Sequence, residues 1–130
     1  LMKYKTLSCA SGHVRTFFGR PGNDQTNKAA YAHEPQANTT FATNLAMQKL
    51  WQDPDNRTST GDLIIQPLHS VHDALCGQFP IDRAEWAVQK IQTYFNNTLS
   101  IGNDRIVIPF EGGYGQSWLH TEEKYRIGEI

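Results

Sequence analysis

His72 and Asp73 stand side by side in Leu63-Ile64-Ile65-Gln66-Pro67-Leu68-His69-Ser70-Val71-His72-Asp73-Ala74-Leu75-Cys76-Gly77-Gln78-Phe79. One apolar run leads into them and a second, shorter one leads out. A carboxylate at a bend between two apolar strands is costly unless a positive group compensates it. A hard divalent cation, which takes oxygen ligands, fits that need. His69 lies three residues earlier, so His69, His72 and Asp73 resemble a ligand set, but residues 69 and 72 of one strand point to opposite faces. No other aspartate offers itself as a partner. Asp53, Asp55 and Asp62 fall in a polar loop, and Asp82 with Glu85 reads as a capping box. Arg15, Arg20 and Lys5 are of the type that contacts phosphates, which positions a nucleic acid without reading its sequence. Lys28 and Gln36 read by default as solvated surface residues.

The surrounding elements must hold these residues. An apolar and β-branched bias over residues 4–19, interrupted by Ser11-Gly12, predicts a hairpin with its second strand at His13–Phe18. Gly19–Asp24 reads as a loop. From Gln25 to Trp51 the pattern turns helical, and Pro35 should start or kink that helix, so the main helix is expected over Pro35–Gln52. Asn38, Thr39 and Thr40 then read as its cap. Asp53–Asp62 is a polar loop. The 63–79 hairpin follows, with Pro67 marking an edge or a bulge. Trp86, Val88, Ile91, Tyr94, Phe95 and Leu99 form a helical stripe that reads as core, ended by Gly102-Asn103. Arg105–Phe110 is a strand, Glu111–Gly115 a flexible turn, Trp118 packs back, and the charged last residues fray. The order hairpin, helix, hairpin, helix, strand predicts an α+β fold, with helices packed on one face of a mainly antiparallel sheet.

A chain of 130 residues suffices for one domain and one core. Apolar content of 38% and charged content of 19% are polar for a globular domain but not those of a disordered chain. A net charge of −1 excludes a uniformly basic nucleic-acid clamp. A local patch remains: Lys3, Lys5, Arg15, Arg20 and Lys28 precede residue 29, with Asp24 the one acid among them. Cys9 and Cys76 make neither a disulfide framework nor a zinc knuckle. No signal peptide or membrane-length apolar run is visible, so a reduced, cytoplasmic setting is expected. The Asn-x-Thr matches at Asn38, Asn56 and Asn96 then read as chance. The opening Leu1-Met2 lacks a capped first element, which suggests a fragment.

Four segments in order resemble family A DNA polymerases, the DNA polymerase I-like enzymes, and the bacteriophage type in particular. Gly12-His13-Val14-Arg15-Thr16-Phe17-Phe18-Gly19-Arg20 is similar to the family's strand and Gly-Arg turn before the palm helix. Lys28-Ala29-Ala30-Tyr31-Ala32-His33-Glu34-Pro35-Gln36, running into Asn38-Thr39-Thr40 and Leu45-Ala46-Met47, resembles its basic, Pro-Gln, Thr-rich helix start. Val71-His72-Asp73-Ala74 stands where the family has its third polymerase motif, usually His-Asp-Glu, with Ala74 at the position of the glutamate. Pro109-Phe110-Glu111-Gly112-Gly113-Tyr114-Gly115-Gln116-Ser117-Trp118 resembles the C-terminal strand and tail. The likeness spans nearly the whole chain up to Trp118.

The resemblance implies a partial polymerase palm working in DNA replication. Its reaction is template-directed addition of deoxynucleoside triphosphates to a primer 3′ end, with two Mg²⁺ ions about 4 Å apart. It implies that Asp73 is one metal ligand and that His72 supports the primer terminus. It also implies that Lys28 touches the primer–template DNA and that Gln36 reads minor-groove acceptors shared by all base pairs. The first carboxylate motif and the triphosphate-gripping fingers helix are not recognisable in the chain, so the remainder of a polymerase is an expected partner and the segment alone is expected to be inactive. Two other readings stay open. A His-Asp metal-dependent phosphohydrolase would also use His72-Asp73, but on helices. A non-enzymatic duplex-DNA-binding module would bind without metal.

Overall fold

The computed structural model describes residues 6–20, 22–118 and 120–127. It is an α+β fold of two helices and small antiparallel sheets. β1 (Thr6–Ser8) pairs with β2 (Val14–Thr16). The turn between them closes through the Gly12 amide donating to the Cys9 carbonyl at 2.9 Å and the Cys9 amide to His13 at 2.9 Å. Gly12 sits at φ +85, a conformation open to glycine at little cost.

α1 runs over Asp24–Gln52, 29 residues. Its start is a correction to the expected Pro35 boundary. Asn23 is the cap, its Oδ1 accepting from the Gln25 amide at 3.0 Å. Pro35 lies inside the helix. Proline leaves the carbonyl four residues back without its donor, here that of Tyr31, a residue 85% exposed and open to solvent. Asn38, Thr39 and Thr40 therefore cap nothing. Thr39 instead donates its hydroxyl to the Pro35 carbonyl at 2.8 Å.

The polar segment after α1 is more ordered than a loop. Pro54–Asn56 forms a 3₁₀ turn, and Arg57 bridges Leu63 in antiparallel pairing. β3 (Gln66–Val71) and β4 (Ala74–Gln78) form the expected hairpin. Its register shifts between Pro67 and His69, the bulge that proline predicts. Gly77 opposes Pro67, and a Cβ there would lie 2.5 Å from the Gln66 carbonyl oxygen, so the bulge demands glycine.

α2 spans Ala84–Phe95, shorter than its apolar stripe suggests. The Asp82–Glu85 capping box does not form. Ile81–Arg83 is a 3₁₀ turn, and Arg83 precedes α2 without a side-chain cap. At the other end Asn97 turns its amide onto the Tyr94 carbonyl at 2.8 Å. Leu99 then falls in β5 (Thr98–Ile101), which pairs with β6 (Asp104–Val107) across Gly102-Asn103. β7 (Phe110–Ser117) and β8 (His120–Ile127) pair in register from Phe110 with Ile127. Glu111–Gly115 is thus strand and not a flexible turn, and the charged tail is paired as far as Ile127, its last three residues lying outside the described ones. Trp118 does lean back, its ring 6.2 Å from that of His69, yet stays 66% exposed.

Among the described residues the strands form four separate two-stranded sheets, not one. The core lies where α1 and α2 meet: Ala46, Leu50, Ile65, Ala87 and Tyr94, flanked by Leu63, Phe79, Trp86, Ile91 and Phe95. No helix among the described residues is long and apolar enough to cross a membrane.

Candidate functional site at the β3–β4 hairpin tip

Val71 pairs with Ala74, so His72 and Asp73 form a two-residue hairpin loop. Two-residue loops need positive φ to match the twist of their strands. His72 supplies it at φ +52 and is the one non-glycine with positive φ among the described residues. Histidine tolerates that region better than most side chains, but a bulky residue there is uncommon. The tip lifts both side chains into solvent; His69 through Ala74 are all exposed, so the expected burial cost of the Asp73 carboxylate, and with it the need for a compensating cation, does not arise.

One contact fixes where this tip sits. The Thr43 hydroxyl, on α1, lies 3.2 Å from the Asp73 carbonyl oxygen and 3.2 Å from the Thr39 carbonyl oxygen. Asp73 is thereby held against the middle of α1. Along α1, residues seven apart lie nearly above one another, two turns and about 10 Å apart. Gln36 and Thr43 have that spacing. Gln36 is exposed while Thr43 is buried, as expected where the tip covers one but not the other. Lys28 lies about 22 Å from Thr43 by the same rise, within a sector of roughly 80°. Exposed Lys28, exposed Gln36 and the Asp73 tip therefore follow one side of one helix.

Lys28 is paired with Asp24 at 2.8 Å, but both side chains are largely exposed, at 75% and 78%. Such pairs are worth little and exchange readily for other anions. Arg15 lies with its guanidinium 4.9 Å from the Phe17 ring centroid. With Gly19, Gln25, Thr26 and Ala29 it lines an open depression of about 230 Å³ at the start of α1. Arg15 thus shares an end of the molecule with Lys28. Arg20 is exposed in the adjoining loop. Lys3 and Lys5 lie outside the described residues.

His69 does not join His72 and Asp73. From β3 it pairs with Cys76 of β4, and its ring meets Trp118. Asp53 and Asp55 serve the scaffold, since both accept from Lys90, at 3.0 and 3.1 Å. No group of three or more His, Cys, Asp or Glu able to hold a metal occurs among the described residues. Mg²⁺ commonly takes only one or two carboxylates together with waters and substrate phosphates. Asp73, exposed and free of a cationic partner among the described ion pairs, fits one such ligand but does not make a site alone. A hairpin turn, not a helix, carries His72-Asp73, unlike the phosphohydrolase arrangement.

Thr43 was not visible as a functional residue in the sequence. A threonine inside a helix is a weak signal that its hydroxyl has other work. Two buried polar atoms were missed as well: His33 Nε2 and Asn38 Oδ1, both without a hydrogen-bond partner among the described residues. Comparison with family models, curated proteins and solved structures returned no match to this chain.

Proposed function

We propose that the chain is the C-terminal palm segment of a bacteriophage-type family A DNA polymerase, acting on primer–template DNA and deoxynucleoside triphosphates. The observation that carries this reading is the placement of Asp73. It projects from a tight hairpin tip held against α1, on the side of the helix that also bears Gln36 and Lys28. A duplex rises 3.4 Å per base pair, so the distance from Lys28 to the tip covers about six base pairs. An elongated contact of that kind suits a primer–template held with its end at Asp73.

In this reading Lys28, Arg15 and Arg20 contact backbone phosphates and set the register of the duplex. The Gln36 amide reaches minor-groove acceptors, which are alike for all base pairs and so admit any sequence. His72 carries the imidazole beside Asp73 and orients the primer terminus. The Asp73 carboxylate supplies one hard oxygen ligand for Mg²⁺. When bound, Mg²⁺ supplies activation of the primer 3′-hydroxyl and neutralisation of phosphate charge. The second carboxylate and the triphosphate grip are supplied by the remainder of the polymerase.

The test is Asp73→Asn in the polymerase that carries this segment. Extension of a primed template is expected to fall by about 10³-fold or more, while DNA affinity in a filter or anisotropy assay stays within about twofold, since Asn keeps the side chain's size. Undiminished extension by the variant overturns the reading. The isolated 130-residue chain is expected to show no primer extension in the same assay.

A further inference from the structure

We infer that Thr43 is the positioning residue for Asp73: through its hydroxyl, the middle of α1 sets where the hairpin tip presents its carboxylate. The inference rests on the polymerase reading of Asp73 given above. Thr43 itself touches neither DNA nor metal.

The hairpin tip has little else to hold it. Residues 69–74 are exposed, and a lone two-stranded hairpin is marginally stable in water. The bulge between Pro67 and His69 bends β3 just before the tip. His72 at φ +52 adds strain at the turn itself. A carboxylate on such a tip would wander by more than a metal ligand tolerates unless its backbone were anchored. The Thr43 hydroxyl supplies that anchor at 3.2 Å, acting on the carbonyl of the residue whose side chain matters. Holding that carbonyl limits the movement of the peptide unit that follows the Asp73 Cα, and so narrows the range over which its Cβ swings.

The hydroxyl has a single proton. The Asp73 and Thr39 carbonyls lie at equal distance from it. Thr39 lies four residues earlier on α1 and its carbonyl is the ordinary intrahelical acceptor for a threonine hydroxyl. The same proton therefore either closes the tether or returns to the helix. Thr43 is 3% exposed, so water does not readily replace it from the α1 side. Groups that hydrogen-bond a ligating side chain directly cost about 10–100-fold in affinity or activity when removed; Thr43 acts one step further back, on the Asp73 backbone, so the lower end of that range is expected.

Thr43→Val keeps the shape and deletes the proton, and Thr43→Ser keeps the proton. In the metal-free 130-residue chain, ¹⁵N relaxation is expected to show the Asp73 and Ala74 amides ordered in the parent and in Thr43→Ser. In Thr43→Val their order parameters are expected to fall toward about 0.6. In the polymerase that carries the segment, Thr43→Val is expected to raise the Mg²⁺ concentration for half-maximal extension about 10-fold. DNA affinity should be unchanged, and Thr43→Ser should restore the parent curve. Thr43→Ala, which favours the helix, reads the same outcome should Val disturb folding. An unchanged tip order in Thr43→Val, or a serine variant as impaired as the valine one, overturns the inference. A wild-type Mg²⁺ curve for Thr43→Val beside an inactive Asp73→Asn overturns it while leaving the polymerase reading standing. An active Asp73→Asn overturns both.

Discussion

The corner where α1, the 3₁₀ turn and α2 meet and the tip of the β3–β4 hairpin use hydrogen bonds in opposite ways. At the corner Asn56 is fully buried and its whole amide is used. Its Nδ2 donates to the Leu50 and Ile65 carbonyls at 3.1 and 3.2 Å, and its Oδ1 accepts from the Ile65 amide at 2.7 Å. Nearby, Asp53 accepts from the Tyr94 hydroxyl at 2.6 Å and from Lys90 at 3.0 Å, and Lys49 reaches Asn97 Oδ1. At the tip, exposed residues are tethered by one shared hydroxyl proton. The corner is built to stay shut. The tip leaves its groups open to solvent. Buried polar groups reward complete pairing and punish its loss, whereas an exposed carboxylate costs nothing to keep available.

The sharpest way to separate the two regions is to remove Asn56. Asn56→Ala strands the Ile65 amide and carbonyl inside the core, since no other donor or acceptor replaces the amide in one piece. Each stranded buried group costs about 1–3 kcal/mol, so a loss near 3 kcal/mol is expected in urea unfolding. Asp73→Asn, by contrast, should leave the unfolding midpoint unmoved, because Asp73 is exposed. Comparable losses for the two variants would break the division into scaffold and site.

A second measurement reads the corner through pH. Burial pushes the Asp53 carboxyl up, but hydrogen bonds from Tyr94, the Asp55 amide and Lys90, with the Lys90 charge, outweigh it and hold its pKa below the ordinary value. A depressed carboxylate contributes stability above its unfolded pKa, about 4, and loses it as pH falls through the folded value. Hydrogen bonds to Asp53 and Asp55 raise Lys90. Burial and the Asp53 hydrogen bond raise Tyr94. Both contributions are present below the unfolded values, near 10, and are lost as pH rises through the folded ones. The corner's contribution to stability should therefore be flat from about pH 5 to 9 and fall on either side. Asp53→Asn should flatten the acid limb and shrink the alkaline one. An unchanged pH profile in that variant would mean the corner's charges do not hold it together.

The same division explains which parts of the molecule were legible in the sequence. His72-Asp73 between two apolar runs, with Pro67 as a bulge, was readable because a two-residue loop and its strands are local events. α2 ends before its apolar stripe does: the spacing from Trp86 to Leu99 continues through Asn96-Asn97, where side-chain bonding to Tyr94 competes with the helix. α1 begins well before the expected Pro35 because Asn23 caps it upstream and the carbonyl that Pro35 frees belongs to an exposed residue. Gly112, Gly113 and Gly115 suggested a turn, but strand pairing with β8 decides their conformation, which no local propensity records. The Thr43 tether joins residues 30 apart in sequence. A contact of that separation leaves no periodic trace.

Lys28 offers the smallest effect and tests whether the exposed side of α1 belongs with the tip. Its bond to Asp24 joins two exposed side chains, so Lys28→Ala should leave thermal unfolding unmoved. If Lys28 meets a phosphate, the variant should weaken primer–template binding by a similar factor for every sequence, and the slope of log affinity against log salt should drop by about 1. Gln36→Ala should weaken binding with no change in that slope, because its contact is with base edges and releases no counterion. Two neutral variants that behave alike would mean the side of α1 running up to Thr43 faces solvent only. The tip would then have to meet its substrate from another direction.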